Sequence, residues 1–253
     1  MIFLTSLRKE FLESLRRERL LIILSVFLVF GLTSPLLAKY TPEILKLLPE
    51  TEAIASIIPE PTLLDSINQF VKNINQFGFF LAILLTMGTV SREKEKGTAS
   101  MVLVKPLPRS VFLFSKFIAL SLTFLISLLI TSVGAFYYSN LLFTTSDFSA
   151  WLWMAILLWL IITVYVALTL LFSTLFRSQP AAAGVSFGVM ILFLLLGSLP
   201  TFEKYLPDRL STWAINLFTG GGTSEWTALL LSLGIIALSL LSAWLIFRKQ
   251  ELE

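Results

Sequence analysis

Six apolar stretches, each long enough to cross a bilayer as a helix, leave this chain few other ways to fold. A hydrocarbon core of about 30 Å takes roughly 20 apolar residues in a helix. The stretches are Leu20 to Ala38, Phe70 to Val90, Val111 to Tyr137, Trp151 to Phe176, Ala181 to Leu199 and Trp226 to Phe247. Only 14% of the 253 residues are charged, about half the share of a soluble domain. The expected fold is all-α: a polytopic membrane protein with six transmembrane helices and an amphipathic amino-terminal interfacial helix. Residues 1–19 form that interfacial helix and 20–253 a single transmembrane domain. Its longest connections are 39–69 and 200–225 on one side and 91–110 on the other. Residues 20–38 follow basic residues and end like a cleavage site, but Glu10, Glu13 and Glu18 precede the run and it exceeds a usual signal core, so it reads as an uncleaved span.

Lysine and arginine set the orientation. With both termini in the cytoplasm, Lys39, Lys46, Lys72, Lys204 and Arg209 lie outside and the other fourteen of 19 cations lie inside. The opposite orientation reverses the bias. The expected location is therefore the cytoplasmic membrane, multi-pass, with both ends inside. Tyr40, Tyr137, Tyr138, Trp151, Trp153 and Trp226 fall near the expected outer boundary, and Trp244 near the inner one.

The chain has no cysteine and no histidine. This excludes thiolate metal sites, thiol nucleophiles and imidazole acid–base catalysis. No metal ligand set and no catalytic residue is expected, and no basic face interleaved with stacking aromatics points to nucleic acid. There is no GxxxxGK[ST] phosphate loop either.

Two segments next to the spans are patterned. Leu4, Leu7, Phe11, Leu12 and Leu15 recur at helical spacing, with Arg8, Lys9, Glu13, Arg16 and Arg17 opposite. Such a helix lies in the membrane interface; it either braces a cytoplasmic partner or simply leads into the first span. The connection after the second span reads Ser91-Arg92-Glu93-Lys94-Glu95-Lys96-Gly97-Thr98 and continues to Pro106, Pro108, Arg109, Ser110 and Lys116. Gly97 is expected to stop a helix at positive φ. Thr98 caps a short helix bearing Met101, Val102 and Leu103. Pro106 and Pro108 end it, and Ser110 caps the third span. The connection is either a rigid surface helix that transmits force or a basic loop that only obeys the positive-inside rule.

The order of those residues resembles the membrane subunits of ABC transporters of the ABC-two type. That family shows an acidic-basic run, Glu-x-Gly-Thr, a short helix, Pro-x-x-Arg and a later lysine. The counterparts here are Glu93, Glu95, Gly97, Thr98, Pro106, Arg109 and Lys116. The amphipathic start, six spans and structured outer segment are similar too, and 59–76 looks like a branch that includes copper-maturation-associated permeases. The resemblance implies a non-catalytic permease of an exporter that binds no cofactor itself, ATP and Mg being held by the partner. It implies two ATP-binding cassette subunits and a second permease, either an identical copy or a close paralogue. Coupling then falls to Glu93, Glu95, Gly97, Thr98, Met101, Leu103, Pro106 and Arg109.

Polar and small residues inside the spans carry two more expectations. Asp65, Gln69, Lys72 and Gln76 share one face at the start of the second span, with Asn73 beside it. Gln69, Lys72, Asn73 and Gln76 form the mouth of a translocation path, or else a polar face that meets water before the span begins. Gly184 and Gly188 form a GxxxG pair, at a dimer interface or at a contact within the bundle. Residues 200–222, with Leu206, Leu210, Trp213, Ala214, Leu217 and Phe218, predict an amphipathic outer helix ended by glycines. The rival functions are an ATP-independent transporter or channel and a membrane scaffold. The lack of mid-span acids counts against proton coupling.

Overall fold

A computed structural model describes residues 2–46, 59–95, 97, 108–220 and 224–250. Among these residues ten helices form and no strand does. They are α1 (Ile2–Arg16), α2 (Arg19–Lys46), α3 (Leu63–Thr86), α4 (Ser91–Glu95), α5 (Arg109–Leu142), α6 (Phe148–Leu175), α7 (Gln179–Gly197), α8 (Pro200–Glu203), α9 (Arg209–Asn216) and α10 (Trp226–Lys249). Six segments, α2, α3 joined to α4, α5, α6, α7 and α10, are long and apolar enough to cross a membrane. All six expected spans are present. Side-chain contacts bring α1, α4, the start of α5 and the end of α10 together at one end of the bundle. That end carries most of the cations and is called the basic end below.

The helices outrun the apolar stretches. α2, with Pro35 inside it, continues past Ala38 and through Pro42 to Lys46. Proline removes an intrahelical donor, yet a bundle tolerates it where neighbouring groups satisfy the freed carbonyls. α3 begins at Leu63 rather than Phe70, on a capping box in which Thr62 N and Oγ1 donate to Asp65 Oδ2 at 2.8 and 2.7 Å. α5 starts at Arg109 with Pro108 at the cap, so Ser110 lies inside the helix instead of capping it. Both helices therefore project past the hydrocarbon zone.

The core is built around α6, which packs against α3, α5, α7, α9 and α10. Its hydropathy nearly equals that of the largely exposed α2 and α10. Lipid is as apolar as leucine, so hydropathy does not sort protein-facing from lipid-facing helices. Small and hydroxyl residues do. A Cβ on Gly31 of α2 would run into Thr131 Cγ2 of α5, which marks a close helix approach. Hydroxyls bridge helices at Ser66–Ser139 (3.0 Å) and Ser121–Thr163 (3.2 Å). Trp151, expected at a membrane boundary, is fully buried. It packs edge-on against Phe70 and Phe218, and its Nε1 donates to Ser146 Oγ at 3.0 Å. Trp153, Trp226 and Tyr137 are exposed.

At the end opposite the basic one, α9 lies across α6 and α3. It buries Leu210 and Ala214, and Leu206 just before it, in the register the sequence predicts. Asn75 Nδ2 of α3 donates to Ser211 Oγ at 2.6 Å, and the chain leaves this segment through Gly220 at φ +68°. The short α8 before it was not expected.

Candidate coupling site at the basic end

Glu10 of α1, Glu93 of α4 and Lys116 of α5 meet in one buried ion cluster. Lys116 Nζ donates to both Glu10 carboxylate oxygens at 3.1 Å and to Glu93 Oε1 at 2.7 Å. Lys116 is 2% exposed and Glu10 9%. Burying charges costs several kcal/mol per ion, offset only by close, hydrogen-bonded partners. The cluster therefore holds while all three elements stay in place, which makes it a joint between them.

The sequence builds this joint from a narrow polar stripe. Ser6, Glu10 and Ser14 are one helical turn apart, and they are the buried residues of α1. Ser6 Oγ meets Ser115 Oγ at 3.0 Å, and Ser14 Oγ meets Thr123 Oγ1 at 3.3 Å. Contacts eight residues apart on both helices require nearly parallel axes, so α1 runs alongside α5. The expected apolar stripe faces the other way: Leu4 and Leu15 are exposed, while Leu7 and Phe11 are partly covered. The apolar and cationic faces were legible in the sequence; this third face, with Glu10, was missed. Its signal was there in small polar residues at spacing four, and in Lys116, a span cation that needed an acid.

α3 is interrupted between Thr86 and Ser91, and a side chain from α6 fills the break. Ser173 Oγ accepts from Val90 N and Ser91 N at 3.0 Å and donates to Met87 O at 2.8 Å. An inserted side chain of this kind is a recognised cause of a sharp helix break. Beyond it α4 carries Glu93 to Lys116, and Lys94 Nζ donates to Thr174 O. Glu95 ends α4 in the open, and Gly97 follows at φ +64°, the left-handed stop expected there. Thr98, Met101, Leu103 and Pro106 lie outside the described residues.

Arg109, expected in the coupling loop, clamps the last helix. Its Nη1 donates to the carbonyls of Phe247, Arg248 and Gln250 at 2.7, 2.8 and 2.9 Å. These are carbonyls the end of α10 leaves unpaired, where a cation is also favoured by the helix dipole. Phe112 stacks on Phe247 with ring centroids 5.4 Å apart, and Gln250 Nε2 donates to Thr174 O at 3.0 Å. α4, α5, α6 and α10 are thus tied together one turn from the joint.

The polar face of α3 is split by the fold. Lys72 and Gln76 are exposed and Gln69 is partly covered. With Asp65 and Asn68, Gln69 and Lys72 line a cavity of about 580 Å³ against Leu37, Thr41 and Pro42 of α2. Asn73 turns inward, accepting from Gln69 Nε2 at 3.4 Å and donating to Ser34 Oγ at 3.0 Å. Gly184 and Gly188 lie on the open face of α7, where a Cβ on either meets no described atom within 4 Å. The pair makes no close contact within the described bundle.

Comparison with known proteins agrees with this architecture. A family model described as ABC-2 family transporter protein matches residues 4–252. The uncharacterized transmembrane protein YxlG of Bacillus subtilis (strain 168) is 28% identical over 260 residues, covering 100% of this chain and 98% of its own length.

Proposed function

The chain belongs to the ABC-2 transporter family, and from that premise we propose that it is the permease of an ATP-driven exporter in the cytoplasmic membrane. Two copies, or one copy and a paralogue, meet in the bilayer, and two ATP-binding cassette subunits supply the energy. The basic end faces the cytoplasm, in keeping with the distribution of lysine and arginine. The ATPase subunits dock on residues 97–104 and on α1.

The observation that carries this reading is the joint at Lys116. A partner that pushes on the chain beyond Gly97 moves α4 first. Through Glu93, Lys116 and Glu10 the displacement reaches α5 and α1 together. The Ser173-filled break lets α4 shift against α3 without unwinding it. ATP binding then favours one of two bundle arrangements through contacts that differ between them. Substrate moves along the exposed side of α3, past Gln76 and Lys72, between two copies that meet on α7.

Co-purification tests this. The chain, tagged and extracted in mild detergent from its native host, should bring down an ATP-binding cassette subunit. Substrate-independent ATPase activity of that complex should fall when Gly97 is replaced by valine. A chain that recovers no ATPase under these conditions is not a permease of this kind.

A further inference from the structure

Between the start of α2 and the break in α3 lies a groove of about 430 Å³ lined by Arg17, Arg19, Ile22, Leu84, Leu85, Gly88, Arg92 and Gln179. Three guanidiniums and no carboxylate line it. Arg17 is paired with Glu13 at 2.9 Å. Among the described residues, neither Arg19 nor Arg92 has an ion pair or a side-chain hydrogen bond. An adjoining cavity shares Arg17, Arg19, Gly88 and Arg92 and adds Lys9, Glu10, Glu13, Glu93 and Lys116. The acids there are already engaged, Glu13 by Arg17 and the other two by Lys116. The two cavities together are lined by five cations and three carboxylates, so a net positive charge remains there.

We propose that this groove binds the headgroup of an anionic phospholipid, with its phosphate between Arg19 of α2 and Arg92 of α4. Planar guanidiniums suit phosphate oxygens because each presents paired donors. A lipid is favoured over a soluble anion by the wall below the arginines. Ile22 and Leu84 are exposed apolar residues on facing helices, which offers an acyl chain a continuous apolar track toward the hydrocarbon zone. Basic pockets between membrane helices at the headgroup level are where such lipids are held. The site bridges the helix break, since Leu84 and Leu85 precede it and Arg92 follows it, with Arg19 of α2 facing both. A bound headgroup would fix α4 against α2 and so set the stiffness of the joint. The assignment rests on the six membrane-crossing helices and not on the choice of ATPase partner.

The test uses the full chain in neutral detergent, titrated with phosphatidylglycerol or phosphatidylcholine and read by native mass spectrometry. Phosphatidylglycerol should be retained in preference to phosphatidylcholine. Replacing both residues (Arg19→Gln, Arg92→Gln) should weaken its binding roughly thirtyfold, about fivefold per arginine. The control pair Arg8→Gln and Arg16→Gln, on α1 outside the groove, should leave it within about twofold. Glycerol phosphate at equal concentration should not displace the lipid. The proposal is overturned if the groove variant keeps the lipid as tightly as the parent, if the control pair weakens binding as much, or if glycerol phosphate competes equally. Should the double variant not fold, Arg92→Gln alone decides, because that side chain is exposed and, among the described residues, makes no ion pair or side-chain hydrogen bond.

Discussion

Removing the ammonium of Lys116 would leave the Glu10 and Glu93 carboxylates facing each other where water hardly reaches. A buried ion cluster broken on one side costs more than it was worth intact, because the remaining charges keep their desolvation penalty. Lys116→Met should therefore destabilise the chain by about 3–5 kcal/mol, read as a lowered unfolding midpoint by tryptophan fluorescence in detergent. Adding Glu10→Gln should recover a substantial part of that loss. A variant as stable as the parent would mean that the cluster is solvated and no joint. At the other end of the bundle Asp208 gives a pH signature. It sits in the concave pocket with Tyr165 and Glu203. The protein packed around it raises its carboxyl above the ordinary range, Ser211's hydrogen bond opposes this, and the Glu203 charge adds to it. A folded value above the unfolded one means the fold binds the proton more tightly. The associated stability is then present below the ordinary aspartate value and is lost as pH rises through the higher folded one. Asp208→Asn should flatten that part of the profile, with a midpoint at neutral pH no lower than the parent's.

At the scale of elements, the break in α3 depends on a single hydroxyl. Ser173→Ala would orphan the Val90 and Ser91 amides, and each buried unpaired donor costs about 1–3 kcal/mol. Amide exchange across residues 87–95 should quicken in that variant while α6 itself stays protected. Unchanged exchange would show that the break is held by other contacts. What the sequence disclosed about these elements follows from the range of the interactions involved. The six spans and the stop at Gly97 are local properties, set by hydropathy over about 20 residues and by one backbone angle, so they could be read directly. The joint is not local: Glu10 and Lys116 are 106 positions apart. Arg109 showed the limit most clearly. It was expected in the loop but opens α5, and its work on the carbonyls of α10 was not legible, because those acceptors are backbone atoms with no sequence signature. The break at Met87–Val90 was equally hidden, since it is completed from α6.

For the whole molecule, exposed apolar surface that meets lipid has to be told apart from surface able to receive a second copy. Hydropathy cannot separate them, because burying leucine against leucine gains little over burying it in acyl chains. Close backbone approach can. On α7 the described bundle leaves Gly184 and Gly188 uncovered, with Ile191, Leu192 and Leu195 exposed along the same helix. A second copy could approach at those glycines more closely than at any leucine, and the gain would be van der Waals contact instead of hydrophobic transfer. The two roles predict different outcomes for Gly184→Leu with Gly188→Leu. Neither added side chain meets a described atom near its Cβ, so the thermal midpoint of the isolated chain should stay within a few degrees of the parent. The dimer, measured by cross-linking in native membranes and by mass in detergent, should be lost. A dimer that survives both substitutions would move the interface to another face, and a parent that is monomeric in the membrane would remove the role assigned to α7.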